Sequence, residues 1–516
     1  MSETYKDISL EKMLKTKFKE LISLGGIYSF GSVMEKALGF LFIPIYTTFL
    51  TTKDYGIIAL VSITVNLVGP FISVPVNNGF VRHYYAPGYE HKRKEIFFNG
   101  ILYVLIQSVI VGIVFYFVSS YLAELILGDR SLNHIVRIYA IILLLTPLKP
   151  ILNTLIQIQK KAKLYVSLNL SRLLLSAGVI IYLLVVERMG VMALVYGALF
   201  IVSYDIIVLI PFLLKNIEFR INFFILKPLL SYGYPLILSS ISMYLIQIGD
   251  RYVLRIFDTM STVGLYSFGY SIGTLIIIFL VKPMKLIMNP LIYEMEHDES
   301  KLKKFVAISC NYFYIVALFF FLVLSVFAKD IIQLLARKEE FWGAWIIVPI
   351  IAFSYVLSGL RDLFGKGMIM AKKSFHSGGT YAVAAAINLG LNFLIIPYFG
   401  MLGAAFATMI SFIVLTIISA HYSYKFYGLT FDFGKLVKIT FIGLALYLLS
   451  FLGNFQPIYI GLLYKMCLLV SFPILLYVSG VFTETEKEYL SDLIKRMKSD
   501  GPIRVTKGLI SSLRKG

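Results

Sequence analysis

The sequence predicts an all-α protein that crosses a membrane many times. Of its 516 residues, 58% are hydrophobic and only 15% are charged. Soluble domains carry about 45–50% apolar and about a quarter charged residues, so this balance excludes an ordinary soluble fold. The second observation is a series of apolar runs, each long enough for the roughly 20 residues that a spanning helix needs. The third is an internal repeat at a spacing near 210 residues.

Fourteen apolar runs qualify as membrane spans. The connections between them are too short to hold a folded domain outside the membrane. Cys310 and Cys467 both lie in apolar runs, which predicts neither a disulfide framework nor a metal site. The first twenty residues lack the apolar segment of a signal peptide, so the first span is expected to direct insertion. The spans cover 21–50, 55–80, 96–127, 132–158, 164–186, 190–214, 228–257, 261–290, 302–328, 341–370, 375–397, 401–424, 436–452 and 458–482.

The distribution of lysine and arginine orients these spans. An even number of spans places both termini on one side of the membrane. The segments on that side carry 31 Lys and Arg residues, against nine on the other side. Because positively charged loops remain in the cytoplasm, both termini are predicted to be cytoplasmic and the protein to lie in the inner cell membrane. The net charge of +19 has the same origin and gives no reason to expect a nucleic-acid partner.

Short matches reveal the repeat. Each is weak alone, but they occur in order at offsets of 208, 212 and 210 residues. Pro75 and Pro283 also match at the first offset. The matched segments are Asp54–Ser62 (DYGIIALVS) with Thr262–Tyr270 (TVGLYSFGY), Gln159–Leu164 with Ala371–His376, and Arg188–Ala193 with Tyr398–Gly403.

The repeat divides the chain into two parallel lobes. Six spans in each predict a two-fold axis along the membrane normal, an arrangement typical of transporters that rock around a central cavity. Spans 13 and 14 lie outside the repeat. The predicted segments are a basic cytoplasmic N-terminal segment (1–20), an N-lobe (21–214), a cytoplasmic linker (215–227), a C-lobe (228–424), the two extra spans (425–482) and a cytoplasmic tail (483–516).

Eight Lys and Arg residues lie within the predicted spans and are counted on neither side of the membrane. Each costs about 2.5–3.5 kcal/mol at the bilayer centre, so eight facing lipid would cost roughly 20–28 kcal/mol, more than the usual net stability of about 5–15 kcal/mol. Snorkelling from the span ends explains some of them, but a water-filled interior suits the deeper ones better. They are Lys36, Lys149, Arg172, Lys282, Lys285, Arg361, Lys366 and Lys465.

The stretch QIGDRYVLRIFD (Gln247–Asp258) places two arginines at the outer end of the seventh span. Arg251 and Arg255 are four residues apart and share one helix face. Two interpretations stay open for Arg251: it pairs with Asp250 at the interface, or it belongs to an outer substrate-handover site.

Three segments resemble the Wzx-type flippases, which move lipid-linked oligosaccharides and belong to the MOP (MATE-like) superfamily. The resemblance extends over nearly the whole chain. It implies two six-helix lobes and alternating access. It also implies a polyprenyl-diphosphate-linked oligosaccharide as substrate, for cell-surface polysaccharides such as O-antigen. The segments are Phe40–Leu60, Gly249–Gly273 and Ala384–Ser411, the last with Asn388, Asn392, Pro397, Gly400 and Gly403 in the order typical of the family.

The resemblance gives the cations a role, because a diphosphate leaving water needs charge-assisted hydrogen bonds. No cofactor or metal is expected. The lipid bilayer is an implied partner, and the polysaccharide polymerase machinery a further one. Four acids are candidates for coupling to H⁺ or Na⁺, unless they merely compensate nearby cations: Glu35, Asp205, Asp250 and Asp362. The predicted substrate-binding cations are Lys36, Arg82, Lys149, Arg172, Arg251, Arg255, Lys282, Lys285, Arg361 and Lys366.

Other function classes fit less well. A multidrug or cation antiporter of the same fold needs a cavity rich in acids, whereas cations outnumber acids in these spans by about two to one. A lipid II flippase would have the same appearance. A membrane glycosyltransferase or polymerase normally presents catalytic groups in a sizeable outer loop, but the longest one expected, about Lys329–Glu340, has no paired-carboxylate or histidine motif.

Overall fold

The structure is a computed structural model of the chain. It describes residues 34, 38–86, 88–295, 298–453, 458–482, 484 and 486–488. Throughout these ranges the backbone forms helices and turns, with no β-strand.

Among its described residues, the first half of the chain forms eight α-helices. Short 3₁₀ helices lie at Glu90–Lys92 and Arg130–Leu132, and a π-helical turn lies at Ala123–Leu127. The α-helices are α1 (Leu38–Phe49), α2 (Thr52–Tyr84), α3 (Arg93–Phe117), α4 (Ser119–Leu122), α5 (Asn133–Leu145), α6 (Leu148–Ile158), α7 (Ala162–Val185) and α8 (Val191–Asn216).

The second half follows a similar plan. A π-helical turn at Ile277–Val281 and a 3₁₀ helix at Glu339–Ile347 interrupt its spans. The α-helices are α9 (Phe223–Phe257), α10 (Met260–Gly273), α11 (Lys282–Glu294), α12 (Glu299–Val326), α13 (Ala328–Leu335), α14 (Val348–Phe364), α15 (Lys366–Met370), α16 (Ser374–Tyr427), α17 (Phe433–Ser450) and α18 (Ile458–Val478).

Eleven helical stretches of the described chain are long and apolar enough to cross a membrane. This makes the protein a multi-pass membrane protein. One of the stretches covers both predicted spans 11 and 12, because α16 continues through a break at Gly400. A helix of 54 residues would be about 80 Å long, far beyond the roughly 30 Å hydrocarbon core, so the break at Gly400 is needed for α16 to fit a bilayer.

Polar caps determine where several helices begin. Thr51 and Asp54 form a capping box at the start of α2, in which each side chain accepts a hydrogen bond from the other's backbone N–H. Asn222 caps α9, and Thr259 caps α10. Such caps satisfy N–H groups that have no partner inside the helix.

The segment 329–340 does not form the long outer loop that the sequence predicts. Most of it belongs to α13 and to the start of the following 3₁₀ helix. Ile332 is fully buried in an apolar cluster with Phe268 and Phe341, while Leu335 packs against the cluster. Ile332 and Leu335 therefore pack on the end of the C-terminal half, while Leu334 is exposed.

The offsets of the sequence repeat recur in the backbone. Lys160 and Lys372, 212 residues apart, have φ values of 55° and 58°, which few residues other than glycine adopt. Gly190 and Gly400, 210 residues apart, have φ/ψ values of 55°/−130° and 52°/−130°. The same unusual conformations thus occur at matched positions of the two halves.

A reciprocal contact joins α2 to α10. A Cβ on Gly56 would overlap the backbone carbonyl of Met260, and a Cβ on Gly264 would overlap the carbonyl of Thr52. Both Thr52 with Met260 and Gly56 with Gly264 are separated by the 208-residue offset. Repeat-related glycines therefore allow repeat-related helices to meet backbone to backbone.

The other end of α2 packs equally closely on α9. A Cβ on Gly79 would overlap the backbone of Leu229, and one on Gly233 would overlap the backbone of Pro75. The helix α2 therefore contacts the C-terminal half near both of its ends.

The chain packs into two compact units. The larger comprises the described residues up to Cys310 together with Phe327–Thr430, so it contains both halves of the repeat. The smaller contains Asn311–Val326 and the described residues from Phe431 onward. Within it, Tyr314 bonds to Thr440, and Leu318 packs on Gly443.

Candidate functional site

A charged cluster in the N-terminal half centres on Asp205 of α8, a residue only 2% exposed. Its carboxylate lies 2.8 Å from Nη1 of Arg172 on α7 and 3.0 Å from Nζ of Lys149 on α6. Arg172 also donates to the Oδ1 of Asn169, one helical turn earlier, at 2.7 Å. Three helices thus bring two cations to one buried acid.

Arg172 and Lys149 differ in their access to solvent. The side chain of Arg172 is 8% exposed, and that of Lys149 is 33% exposed. The buried arginine is held by two polar partners, which compensates for its loss of hydration. The lysine is the more accessible source of positive charge.

A second cluster lies in the C-terminal half around Asp362 of α14. Its carboxylate forms an ion pair with Lys285 of α11 and lies 3.5 Å from the guanidinium of Arg361. Lys366 of α15 donates to Asn289 at 2.5 Å, so it does not form the direct pair with Asp362 that their four-residue spacing suggested. With three cations and one acid, this cluster carries two positive charges in excess.

Arg361 is the most enclosed cation of this second cluster. Its guanidinium carbon lies 3.8 Å from the ring centre of Tyr381, and it donates to the hydroxyls of Tyr381 and Ser377 at 2.6 and 3.0 Å. Its Nε is buried and has no hydrogen-bond partner in the described part of the chain. The side chain therefore has a fixed position and an unused donor.

Arg251 and Asp250 form a third, fully buried network in the part of α9 predicted to lie at the outer side. The guanidinium donates to the carboxylate at 2.7 Å and to the carbonyl of Gln247 at 2.5 Å. It lies over the ring of Tyr270, 3.8 Å from its centre, with Tyr266 on the same side of the network at 4.9 Å. Here one cation meets one acid, so the network carries no excess charge.

The remaining oxygen of Asp250 is also satisfied. It accepts hydrogen bonds from Tyr266 and, at 3.3 Å, from Thr408 of α16. Tyr270 bonds onward to Tyr355 of α14 at 2.6 Å. Of the two interpretations of Arg251, the structure shows the pair with Asp250.

Arg255 and Arg82 lie where the two halves of the repeat meet. Arg255 donates to the carbonyl of Leu127 at 3.1 and 3.2 Å, next to Gly128, at the predicted outer side. Arg82 lies over the ring of Tyr232, 4.3 Å from its centre, at the predicted cytoplasmic side. Both arginines therefore contact the opposite half.

Two predicted site residues, Lys36 and Glu35, lie outside the described residues. Lys282 begins α11 and is exposed. The structure thus groups Lys149 with Arg172, and Lys285 with Arg361 and Lys366, while Arg251 belongs to a separate network.

Sequence reasoning missed the polar residues that hold these charges. Tyr266 and Tyr270 are four residues apart and share a face of α10, a pattern from which a polar stripe can be recognised. Asn169, three residues before Arg172, carries a similar signal. Tyr381 and Asn289 have no local signal, because they reach their partners from distant segments of the chain.

Solved structures of membrane transporters share this fold. The lipid II flippase MurJ, in an inward closed conformation, matches with a TM-score of 0.71 at 14% identity, covering 88% of this chain and 99% of that one. A MATE transporter of Vibrio cholerae matches with a TM-score of 0.57 at 16% identity, covering 80% and 97%. At these identities the likeness shows the MOP-type fold alone.

A curated relative and a family model provide sequence evidence. The chain is 22% identical over 211 residues to Agl15 of Haloferax volcanii, described as a probable low-salt glycan biosynthesis flippase. That match covers 41% of this chain and 44% of the relative, so the chain spans less than half of the relative's length. The family model with the description "Polysaccharide biosynthesis protein" matches residues 45–339, more than half of the sequence. The chain therefore belongs to this family of polysaccharide biosynthesis proteins, as its resemblance to Wzx-type flippases indicates.

Proposed function

We propose that the protein is a flippase that moves a polyprenyl-diphosphate-linked oligosaccharide from the cytoplasmic to the outer leaflet. The observation that carries this proposal is the excess of positive charge inside the spans. Among the described residues, the Asp362 cluster joins three cations to one acid, and the Asp205 cluster places two cations on one acid.

The chemistry of a diphosphate fits such clusters. Its oxygens are strong acceptors, and charge-assisted hydrogen bonds to Arg or Lys replace the water that the group loses on entering the membrane. Each such contact contributes about 1.5–3 kcal/mol, or roughly 10- to 150-fold in affinity. Lys149 and Lys366 are the best residues for testing contact with a ligand. Removing either one leaves the other ion pairs of its cluster in place.

For the mechanism we propose alternating access by two six-span lobes, with fourteen spans in all. The reciprocal contact of Gly56 and Gly264 supports a two-fold relation between the lobes. The halves touch at the predicted outer side, where Lys338 donates to the carbonyl of Leu50 at 2.9 Å, and at the predicted cytoplasmic side through Gly79. Passage of a headgroup requires these two sets of contacts to open in turn.

The same proposal places the protein in the cytoplasmic membrane with both termini inside. Ion coupling belongs to it as well, through Glu35, Asp205, Asp250 or Asp362. In the described chain the last three each pair with a cation, which supports charge compensation as their resting role. A polysaccharide polymerase remains the expected downstream partner.

Lipid II flipping is a second candidate, favoured by the fold likeness to MurJ. Its diphosphate anchor needs the same cations, so the two substrates differ in the headgroup beyond the diphosphate. A cation antiporter fits the clusters poorly, because their excess charge repels its substrates.

Flipping in reconstituted vesicles tests the proposal. Purified protein is placed in vesicles with a polyprenyl-diphosphate-linked oligosaccharide, with lipid II, or with a quaternary ammonium dye. We expect movement of the oligosaccharide lipid and no transport of the dye. Transport of the dye alone would contradict the proposal, and selective movement of lipid II would replace its substrate.

A further inference from the structure

A cavity of about 340 Å³ lies within the N-terminal half, at the predicted cytoplasmic side. It is formed by the end of α2, the start of α3 and the ends of α6 and α8. Its size falls at the lower end of the range of about 300–1,000 Å³ that small-molecule sites occupy. None of the substrate-binding cations discussed above lines it.

The inner wall of this cavity is apolar and aromatic. Phe97 and Leu155 belong to the apolar core and are 1% and 2% exposed. Tyr84 adds an aromatic ring, which packs against Phe80 and is fixed in an edge-on arrangement with ring centres 5.5 Å apart. Such a wall accepts the C–H face of a sugar ring.

Hydrogen bonds hold two of the polar side chains that line this cavity. Arg93 donates through Nε to the carbonyl of Tyr84 at 3.0 Å, and its guanidinium lies 4.6 Å from the centre of the Tyr84 ring. Gln159 donates to Asn216 at 2.6 Å, and Asn216 donates to the carbonyl of Phe212 at 2.7 Å. In the described part of the chain, these bonds use Nε of Arg93 and Nε2 of Gln159, and both residues line the cavity.

The charges that line the cavity cancel. Glu90 and Glu218 balance Arg93 and Lys94. A phosphate site needs an excess of cations, as the Asp362 cluster has among the described residues. A balanced set of donors and acceptors, with amides that serve as both, instead suits hydroxyl groups.

We propose that this cavity is a carbohydrate-binding site that engages a sugar of the lipid-linked oligosaccharide before the diphosphate enters the spans. The inference rests on the proposed flippase function for its place in the cycle. The sugar specificity of the protein would then reside partly at the cytoplasmic surface of the N-terminal half, separate from the cationic clusters.

The test compares Gln159→Ala and Glu218→Gln with the control Gln157→Ala. Gln157 lies on the same helix as Gln159 but does not line the cavity. The full-length proteins in lipid nanodiscs are assayed by saturation-transfer NMR with free glucose, galactose, rhamnose and N-acetylglucosamine, and with inorganic pyrophosphate. We expect at least one sugar to bind wild type and the control, and to bind each cavity variant about 3- to 10-fold more weakly.

Flipping kinetics give the second readout. The apparent KM for the oligosaccharide lipid should rise by a similar factor in both cavity variants, with the rate at saturation unchanged. Glu218 is exposed, so Glu218→Gln keeps the test valid if Gln159→Ala folds poorly. Equal KM values in the cavity variants and in Gln157→Ala would overturn the inference. So would a wild-type protein that binds pyrophosphate but no sugar, if the cavity variants lose that binding. A wild-type protein that binds sugar through the cavity but moves no oligosaccharide lipid would instead refute the proposed function.

Discussion

At the residue scale, substitutions at Arg172 distinguish its contribution to stability from its contribution to transport. Its guanidinium shares the buried Asp205 with Lys149, so Arg172→Ala should destabilise the fold by less than the roughly 3–5 kcal/mol of an acid left with no counter-ion, and should abolish flipping. Arg172→Lys should restore part of both properties, because the charge remains but the planar fork is lost. Thermal unfolding in detergent and vesicle flipping, measured on the same preparations, provide the check.

The double variant Arg172→Ala with Asp205→Ala is the control for this prediction. It also removes the buried acid, which would otherwise keep Lys149 as its remaining ion-pair partner, and should recover part of the stability without recovering transport. If the double variant flips substrate like wild type, then Arg172 is a structural residue only.

Arg251 is predicted to behave differently. Its charge is already balanced by Asp250, and both side chains are buried among tyrosines. Arg251→Ala should cost about 3–5 kcal/mol, since it leaves Asp250 without a counter-ion. Asp250→Asn combined with Arg251→Gln should restore unfolding temperature and flipping together. A stable Arg251→Ala protein that cannot flip substrate would assign this residue to the outer handover site instead.

The sequence was informative about which residues carry charge inside the membrane and uninformative about how they pair. Asp250 and Arg251 are adjacent in the chain, and their pairing is recognised from that alone. Lys149, Arg172 and Asp205 come from three different helices, so only the fold brings them together. The spacing of Asp362 and Lys366 suggested a pair, but Lys285 occupies the carboxylate from another helix.

At the element scale, the contact of α2 with α10 depends on two glycines. Gly56→Ala should force the helices apart, because a Cβ would overlap the carbonyl of Met260. Overpacking of this kind typically costs about 1–3 kcal/mol. The matched control is Gly69→Ala in the same helix, where a Cβ meets no atom within 4 Å.

Unfolding temperature and flipping rate check this prediction. We expect both to fall for Gly56→Ala and to remain near wild type for Gly69→Ala. An unchanged unfolding temperature in Gly56→Ala would show that the close approach of α2 and α10 does not contribute to the folded state.

Long apolar runs in the sequence predict the helices, but they do not predict where those helices are interrupted. Gly400 has a φ of 52°, and this conformation divides α16 where the sequence places the boundary between two spans. Gly190, which matches Gly400 in the repeat, adopts the same conformation. The repeat therefore indicates both of these breaks. No sequence match indicates the π-helical turn at Ile277–Val281. The sequence predicts a loop where the structure has the amphipathic helix α13.

At the scale of the whole molecule, composition and the repeat predict a helical, multi-pass protein, and the MOP-type fold agrees with that prediction. The sequence cannot give the cavity at the predicted cytoplasmic side, because its lining comes from four helices and a connecting segment. It also cannot show that the two halves touch near both ends of α2. Such features arise from packing between distant segments.

The central claim is that the cations of the two span clusters bind the diphosphate. The most direct measurement is the flipping affinity of Lys149→Gln and Lys366→Gln, compared with Lys465→Gln, a span lysine outside the repeat. Both cluster variants keep the ion pairs of Arg172 with Asp205 and of Lys285 with Asp362, so the fold should persist. We predict roughly 10- to 150-fold weaker apparent affinity for the oligosaccharide lipid in each cluster variant, and wild-type affinity in the control. Wild-type affinity in both cluster variants would contradict the account.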